Sequence, residues 1–175
     1  MQITGGKADE SQKPIFAIEM NFLEQDFQIE WQRCSMLANY IAAYVAYQFT
    51  QYGRAENLIS TVVNELLEAI TRLSPGQSPL RIRCYQLPDG IRLDIQFVVR
   101  GEHIAAYMDF MQTLDDSEHQ YLGLLTSRIQ AEKNFNQLGL AMLAHDFNVK
   151  FKTNLDDRSG GVQTQIFIPT QEFLI

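Results

Sequence analysis

Basic residues are scarce in this chain. It has 14 Lys and Arg against 21 Asp and Glu, a formal net charge of −7 over 175 residues. Phosphate contacts need clustered cations, so a nucleic-acid partner and an anionic membrane surface are both disfavoured. The densest basic group, Arg81, Arg83 and Arg92, falls within one hairpin pattern. Cysteine is scarcer still. Cys34 and Cys84 have no metal-ligand spacing and no signal peptide precedes them, so both are expected to be reduced, buried thiols of a cytoplasmic protein. Long apolar runs are missing, and the longest, Ile41 to Tyr47, is too short to span a bilayer. His103, His119 and His145 are scattered without a second ligand at metal spacing. No Ser-His-Asp or Cys-His catalytic set can be assembled, and the catalytic residues stay unassigned. Repeats, low-complexity tracts and interdomain linkers are also absent.

What remains is the pattern of one globular domain. Hydrophobic residues make up 46% of the chain and charged residues 20%, ordinary values for such a domain. Residues 1–13 are polar and read as a loose arm; residues 14–175 read as a single domain. The most informative stretch is the predicted helix Asn57 to Leu73. Leu58, Ile59, Val62, Val63, Leu66, Leu67 and Ile70 recur at helical spacing and form an apolar face. Asn57, Thr61, Asn64, Glu68 and Thr71 form a polar stripe on the other side. An amide and a carboxylate one turn apart could chelate a metal, orient a water, or form a solvated helix back with Glu68 paired to Arg72.

The order of elements follows from periodicity and punctuation. A strand is expected at about Pro14 to Phe22, then a long helix from Asp26 to Tyr52 stopped by Gly53. Ser74 to Pro79 is a dense turn signal after the striped helix. Leu80, Ile82 and Cys84 alternate with Arg81, Arg83 and Tyr85. Pro88-Asp89-Gly90 makes the turn, and Ile91, Leu93, Ile95, Phe97 and Val99 alternate on the return strand. Helices are expected at His103–Thr113, Ser117–Lys133 and Phe135–Asp146, with Asp115-Asp116 at a helix start. A second hairpin sets Val149, Phe151, Thr153 and Leu155 against Val162, Thr164, Ile166 and Ile168. Paired strands and blocked helices describe an α+β two-layer sandwich, with helices on a mixed, largely antiparallel sheet.

This order resembles the Bergerat ATP-binding fold of the GHKL family, which includes histidine kinases, gyrase and anti-sigma-factor kinases. Val63 to Thr71 resembles the family's N-box helix. Gln137 to Ala144, followed by a hairpin ending in Ile168-Pro169, resembles its last glycine box and closing strands. The likeness covers about residues 14 to 169 and is nearest to the small partner-switching regulators, anti-sigma-factor and SiaB-type kinases. It implies ATP or ADP with Mg2+ as cofactor. Thr61, Asn64, Glu68, Thr71 and Gly139 would contact the nucleotide, and Glu68 would contact the metal. In the small kinases, an N-box glutamate activates the attacking hydroxyl and an asparagine one turn later holds magnesium. Aligned here, those places are Asn64 and Glu68, so the residue types are exchanged. An amide is no general base, whereas a carboxylate still suits a hard cation. The adenine-reading Asp-x-Gly-x-Gly box has no copy, its nearest candidates being Asp94, Arg100-Gly101-Glu102 and Asp109. Glu132 to Asn136 replaces the glycine-rich lid.

The predicted first helix carries Trp31, Tyr40, Tyr44, Tyr47, Phe49 and Tyr52. Such a row reads as core, as a homodimer face, or as a wall for a planar ligand. Tyr40 and Tyr44 are the candidate cofactor contacts in the last case, where FAD would place its adenosine half in the nucleotide site. Three functions are therefore expected in order. The first is a cytoplasmic signalling regulator that binds an adenine nucleotide and switches its hold on a protein partner, with Ser/Thr kinase activity open. The second is an FAD-binding sensor or photoreceptor on the same scaffold. The third is a nucleotide-free dimeric interaction module.

Overall fold

The structure, a computed structural model, describes residues 16–114, 135–156, 161–169 and 171. In chain order it contains β1 (Phe16–Leu23), α1 (Gln25–Ile29), α2 (Gln32–Ala46) and α3 (Tyr52–Leu73). The hairpin β2 (Pro79–Leu87) and β3 (Gly90–Val98) follows, then α4 (Gly101–Thr113) and α5 (Gln137–Asp146). A second hairpin, β4 (Lys150–Asp156) and β5 (Gly161–Pro169), completes the sheet. The expected arm 1–13, the helix at Ser117–Lys133, Asp115-Asp116 and His119 lie outside the described residues.

The strand order is β1-β2-β3-β5-β4, and every described pairing is antiparallel. Both sequence-predicted hairpins form, with Gly90 in β3 opposite Leu87 rather than in the turn. Cys84 lies opposite Leu93, and Thr153 lies opposite Thr164. Period-two alternation then sorts the faces. Leu80, Ile82, Cys84, Ile91, Leu93, Ile95, Val162, Ile166 and Ile168 are buried in one core with the apolar stripe of α3. Opposite them, Glu19, Arg83, Asp94, Gln165 and Lys152 form a ladder across the outer face. The domain is thus an α+β sandwich with helices against one side of an open sheet.

Two helix boundaries differ from the sequence reading. The single helix Asp26–Tyr52 is two helices, broken where Glu30 adopts an extended conformation (φ −140°, ψ 98°). Chain direction also changes after Ala46. The Phe49 N–H bonds the Ala46 carbonyl at 2.9 Å, and the turn packs the Phe49 ring against the core. Gly53 therefore does not stop the helix but lies in the first turn of α3, with open space where a Cβ would stand. Burial of an aromatic side chain outweighed the glycine signal, because a glycine is tolerated wherever the helix start is solvated.

A buried carboxylate ties the end of β1 to the ends of α3 and β3. Glu24 is 1% exposed and accepts hydrogen bonds from Ser74 Oγ and, at 3.0 Å, from the Val98 N–H. Ser74 Oγ also accepts from the Gly76 N–H at 3.0 Å. Gly76 has φ +92°, a left-handed conformation that suits glycine, and its Cα abuts the Gln28 side chain. Burial pushes the Glu24 carboxyl above its ordinary value of 4.5, against the opposing pull of the Ser74 and Val98 hydrogen bonds. A raised carboxyl favours folding in its neutral form. Its stabilisation is complete below pH 4.5 and is lost as pH rises through the folded value. Glu24→Gln, which mimics the neutral acid, should therefore gain stability relative to the parent between about pH 4 and pH 7. Glu24→Ala should cost about 2 kcal/mol by orphaning Ser74 and Val98. Urea unfolding across that pH range checks both, and a pH-independent gap between parent and Gln variant would refute the assignment.

Candidate functional site

Helix α3 is the longest element, and its polar residues do not share one environment. Ser35 Oγ of α2 donates to Asn64 Oδ1 at 3.4 Å, and Ser60 Oγ donates to Asn39 Oδ1 at 2.7 Å. Ser60 and Asn64 therefore face α2. Glu65 is about 100° further round the helix and faces α5, where Asn136 Nδ2 donates to its Oε2. Thr61, one turn before Glu65, lies on that same side.

Asn136 is the N-cap of α5. Its Oδ1 accepts from the Gly139 N–H at 3.3 Å while its Nδ2 reaches Glu65. One amide thus satisfies a first-turn N–H of α5 and orients a carboxylate of α3. Gly139 is buried against the same carboxylate. A Cβ there would overlap Glu65 Oε2 and would lie 2.6 Å from Asn136 Nδ2 and 2.8 Å from Glu65 Cδ. The absent side chain at 139 therefore makes the space that Glu65 occupies.

Glu68 stands next on the helix and accepts from Asn64 Nδ2 at 2.9 Å. Burial and the negative charge of Glu68 raise the Glu65 carboxyl above 4.5, opposed by the Asn136 hydrogen bond. Two neighbouring carboxylates with separated environments are a usual basis for acid–base work. Both are also hard oxygen donors, whereas the amide oxygens of Asn64 and Asn136 are taken by Ser35 and by the Gly139 N–H. Among the described residues, no group of three His, Cys, Asp or Glu could hold a metal by itself.

A cavity of about 410 Å³ opens beside this cluster. Arg54, Asn57, Leu58 and Thr61 line it from α3, and Phe147 lines it from the end of α5. Thr61 Oγ1 donates back to the Asn57 carbonyl at 2.8 Å. The antiparallel run of α3 and α5 sets the cavity on the N-terminal side of Glu65. Asn148 adopts φ +51° after α5, which lets the Val149 N–H reach the Leu143 carbonyl at 3.2 Å and starts the second hairpin.

The sequence-predicted residues distribute as follows. Thr61 and Gly139 lie in the α3–α5 groove; Asn64 and Glu68 lie between that groove and α2. Thr71 stands apart near α1. Its hydroxyl donates to the Glu68 carbonyl, and its own carbonyl accepts from Gln28 Nε2 at 3.2 Å. Tyr40 and Tyr44 are exposed on α2 and line neither this cavity nor a second, of about 430 Å³, at the β3–β5–β4 end of the sheet. Asp94, a candidate adenine reader, sits on the outer sheet face with Arg92 at 3.3 Å, across the sheet from the helices. Cys34 and Cys84 are buried and free. Burial, with Glu68 nearby, pushes the Cys34 thiol up to about 11, and burial alone pushes Cys84 up to about 12. Both stay protonated and unreactive near neutrality. No described helix is long and apolar enough to cross a membrane.

Glu65 lies off the polar stripe that the sequence places at Asn64 and Glu68. Its one signal was the i, i+4 relation to Thr61, and the N-cap that holds it is 71 residues away. No protein-family model matches the chain, and no curated protein matches it.

The contact predicts a coupled pair. Gly139→Ala should destabilise the domain by about 1–3 kcal/mol, because Glu65 must leave its place. In a Glu65→Ala background the same change should cost less than about 0.5 kcal/mol. Chemical denaturation of the four proteins in the cycle measures this; additive costs would show that the two residues do not touch.

Proposed function

We propose that the chain is a cytoplasmic regulator of the GHKL type, which binds an adenine nucleotide with magnesium in the α3–α5 groove. Nucleotide occupancy would switch its hold on a protein partner in a signalling pathway. The observation that carries this reading is the Glu65–Asn136–Gly139 cluster. It places a carboxylate with a raised pKa against the capped start of a helix whose third residue has no room for a side chain. Helix starts favour anions through their N–H groups and dipole, and here Glu65 takes that place, so a phosphate would enter beside it through a magnesium ion shared with Glu68. The sandwich architecture and the position of the striped helix support the same reading.

The cluster also reassigns roles within the proposal. Glu65, rather than the Asn64 position, is the residue suited to accept a proton from an attacking hydroxyl, since burial and Glu68 both raise its basicity. Glu68 remains the group for magnesium, steadied by Asn64. Residues 54–61 would receive the partner's segment in the cavity beyond Glu65. With Glu65 in that role, transfer to a serine or threonine of the partner becomes chemically open.

Thermal melting tests the binding. Mg-ATP or Mg-ADP at about 100 times Kd should stabilise the fold by about 2.7 kcal/mol. Glu68→Ala should weaken that effect more than Asn64→Ala. Glu65→Gln should keep binding but slow any phosphoryl transfer by about 100-fold. Absence of a shift with either nucleotide would sink the reading. A yellow purified protein that releases a flavin would favour the FAD alternative instead.

A further inference from the structure

Helix α2 shows solvent a row of large apolar side chains that the proposed nucleotide groove does not use. Met36, Tyr40 and Tyr47 are 70%, 59% and 84% exposed. Tyr44 lies in the same row, half exposed. Scattered apolar residues are ordinary on a surface, but a continuous row marks a binding face. Positions 36, 40, 44 and 47 follow the four- and three-residue steps of a helix–helix seam. Ala43, small and half-buried, stands among the three tyrosines.

Charge selects the occupant. From Trp31 to Ala55 the chain has no acidic residue, although it holds 21 in all, and only Arg33 and Arg54 are basic. Elsewhere the net −7 makes two copies repel, whereas here they meet without a charge penalty. A charged partner would find little to read on this face. Exposed Gln32 and Gln48 flank the row as a polar rim. The area is also sufficient. At about 150–250 Å² per large side chain, the exposed fractions of Met36, Tyr40, Tyr44 and Tyr47 sum to roughly 500 Å², the apolar centre of a face whose polar rim would supply the rest of the about 800 Å² that each partner buries in a standard interface.

We propose that this face pairs with the same face of a second copy, α2 against α2, antiparallel about a two-fold axis. A tyrosine of each copy would pack over the small side chain of Ala43 of the other. The inference does not rest on nucleotide binding. It does place the interface on the helix whose Ser35 and Asn39 bond Asn64 and Ser60 of α3.

Sedimentation and light scattering of the full chain over a concentration series test the proposal. The parent protein should have twice the mass of one chain. Tyr40→Glu and Tyr47→Glu should each raise the dimer dissociation constant about 100-fold or more, because every substitution enters a two-fold interface twice. Both side chains are exposed, so the variants should keep the parent's circular dichroism. Hydrogen–deuterium exchange of the parent protein reads the same face without substitution, and α2 should gain protection as concentration rises. A parent protein that stays monomeric, with the row covered by a planar ligand or by residues 1–13, overturns the proposal. So does a dimer that both variants leave intact.

Discussion

Burial of the apolar stripe of α3 is the constraint on which the rest of this domain depends. Ala55, Leu58, Ile59, Val62, Val63, Leu66, Leu67, Ala69, Ile70 and Leu73 are all buried, and they share one core with the inner faces of the strands. A helix of 22 residues held along that line has two flanks to spare. One flank takes α2, through Ser35–Asn64 and Asn39–Ser60; the other takes α5, through Glu65 and Asn136. Leu66 or Leu67 cannot turn away from the sheet without moving both flanks. The polar cluster is therefore held by hydrophobic packing that it does not itself supply.

Polar groups inside the domain work as ties between distant segments. Glu24 joins the end of β1 to Ser74 and Val98. Tyr107 does the same for α4. Its hydroxyl bonds Thr164 at 2.9 Å, Thr164 bonds Thr153 at 3.1 Å, and its ring packs edge-on to Phe97 and Phe135. Burial pushes the Tyr107 hydroxyl up to about 12, so it stays neutral. Each such group costs desolvation and recovers it only when every partner is in place, which favours one arrangement over near alternatives.

The two faces proposed for binding differ in kind. The α3–α5 groove holds a cavity with a mainly apolar lining and a few polar groups, beside a carboxylate at a helix start. The α2 face is convex, aromatic and nearly uncharged. Small ligands need enclosure and a few convergent polar groups, whereas protein faces need area. Both faces border α3, the groove directly and the aromatic row through α2.

Local pattern determined the elements of this protein. Alternation placed the inner and outer residues of both hairpins, and a 3.6-residue period placed the buried side of α3, because each signal is written within a few neighbouring positions. It was weaker at Gly53, where a turn that packs Phe49 against the core overrode the helix-stop signal, and at Glu30, where an extended residue breaks the helical pattern. Tertiary structure alone decided which polar residues meet. It split the stripe of Asn57, Thr61, Asn64, Glu68 and Thr71 among three neighbouring helices. It brought Glu65 to Asn136 and Gly139, more than seventy positions later. It also left the row of Met36, Tyr40 and Tyr47 outside the core. Period shows that a residue lies on a given side of its helix. What stands against that side depends on how long-range packing seats the other elements, and no local spacing carries that information.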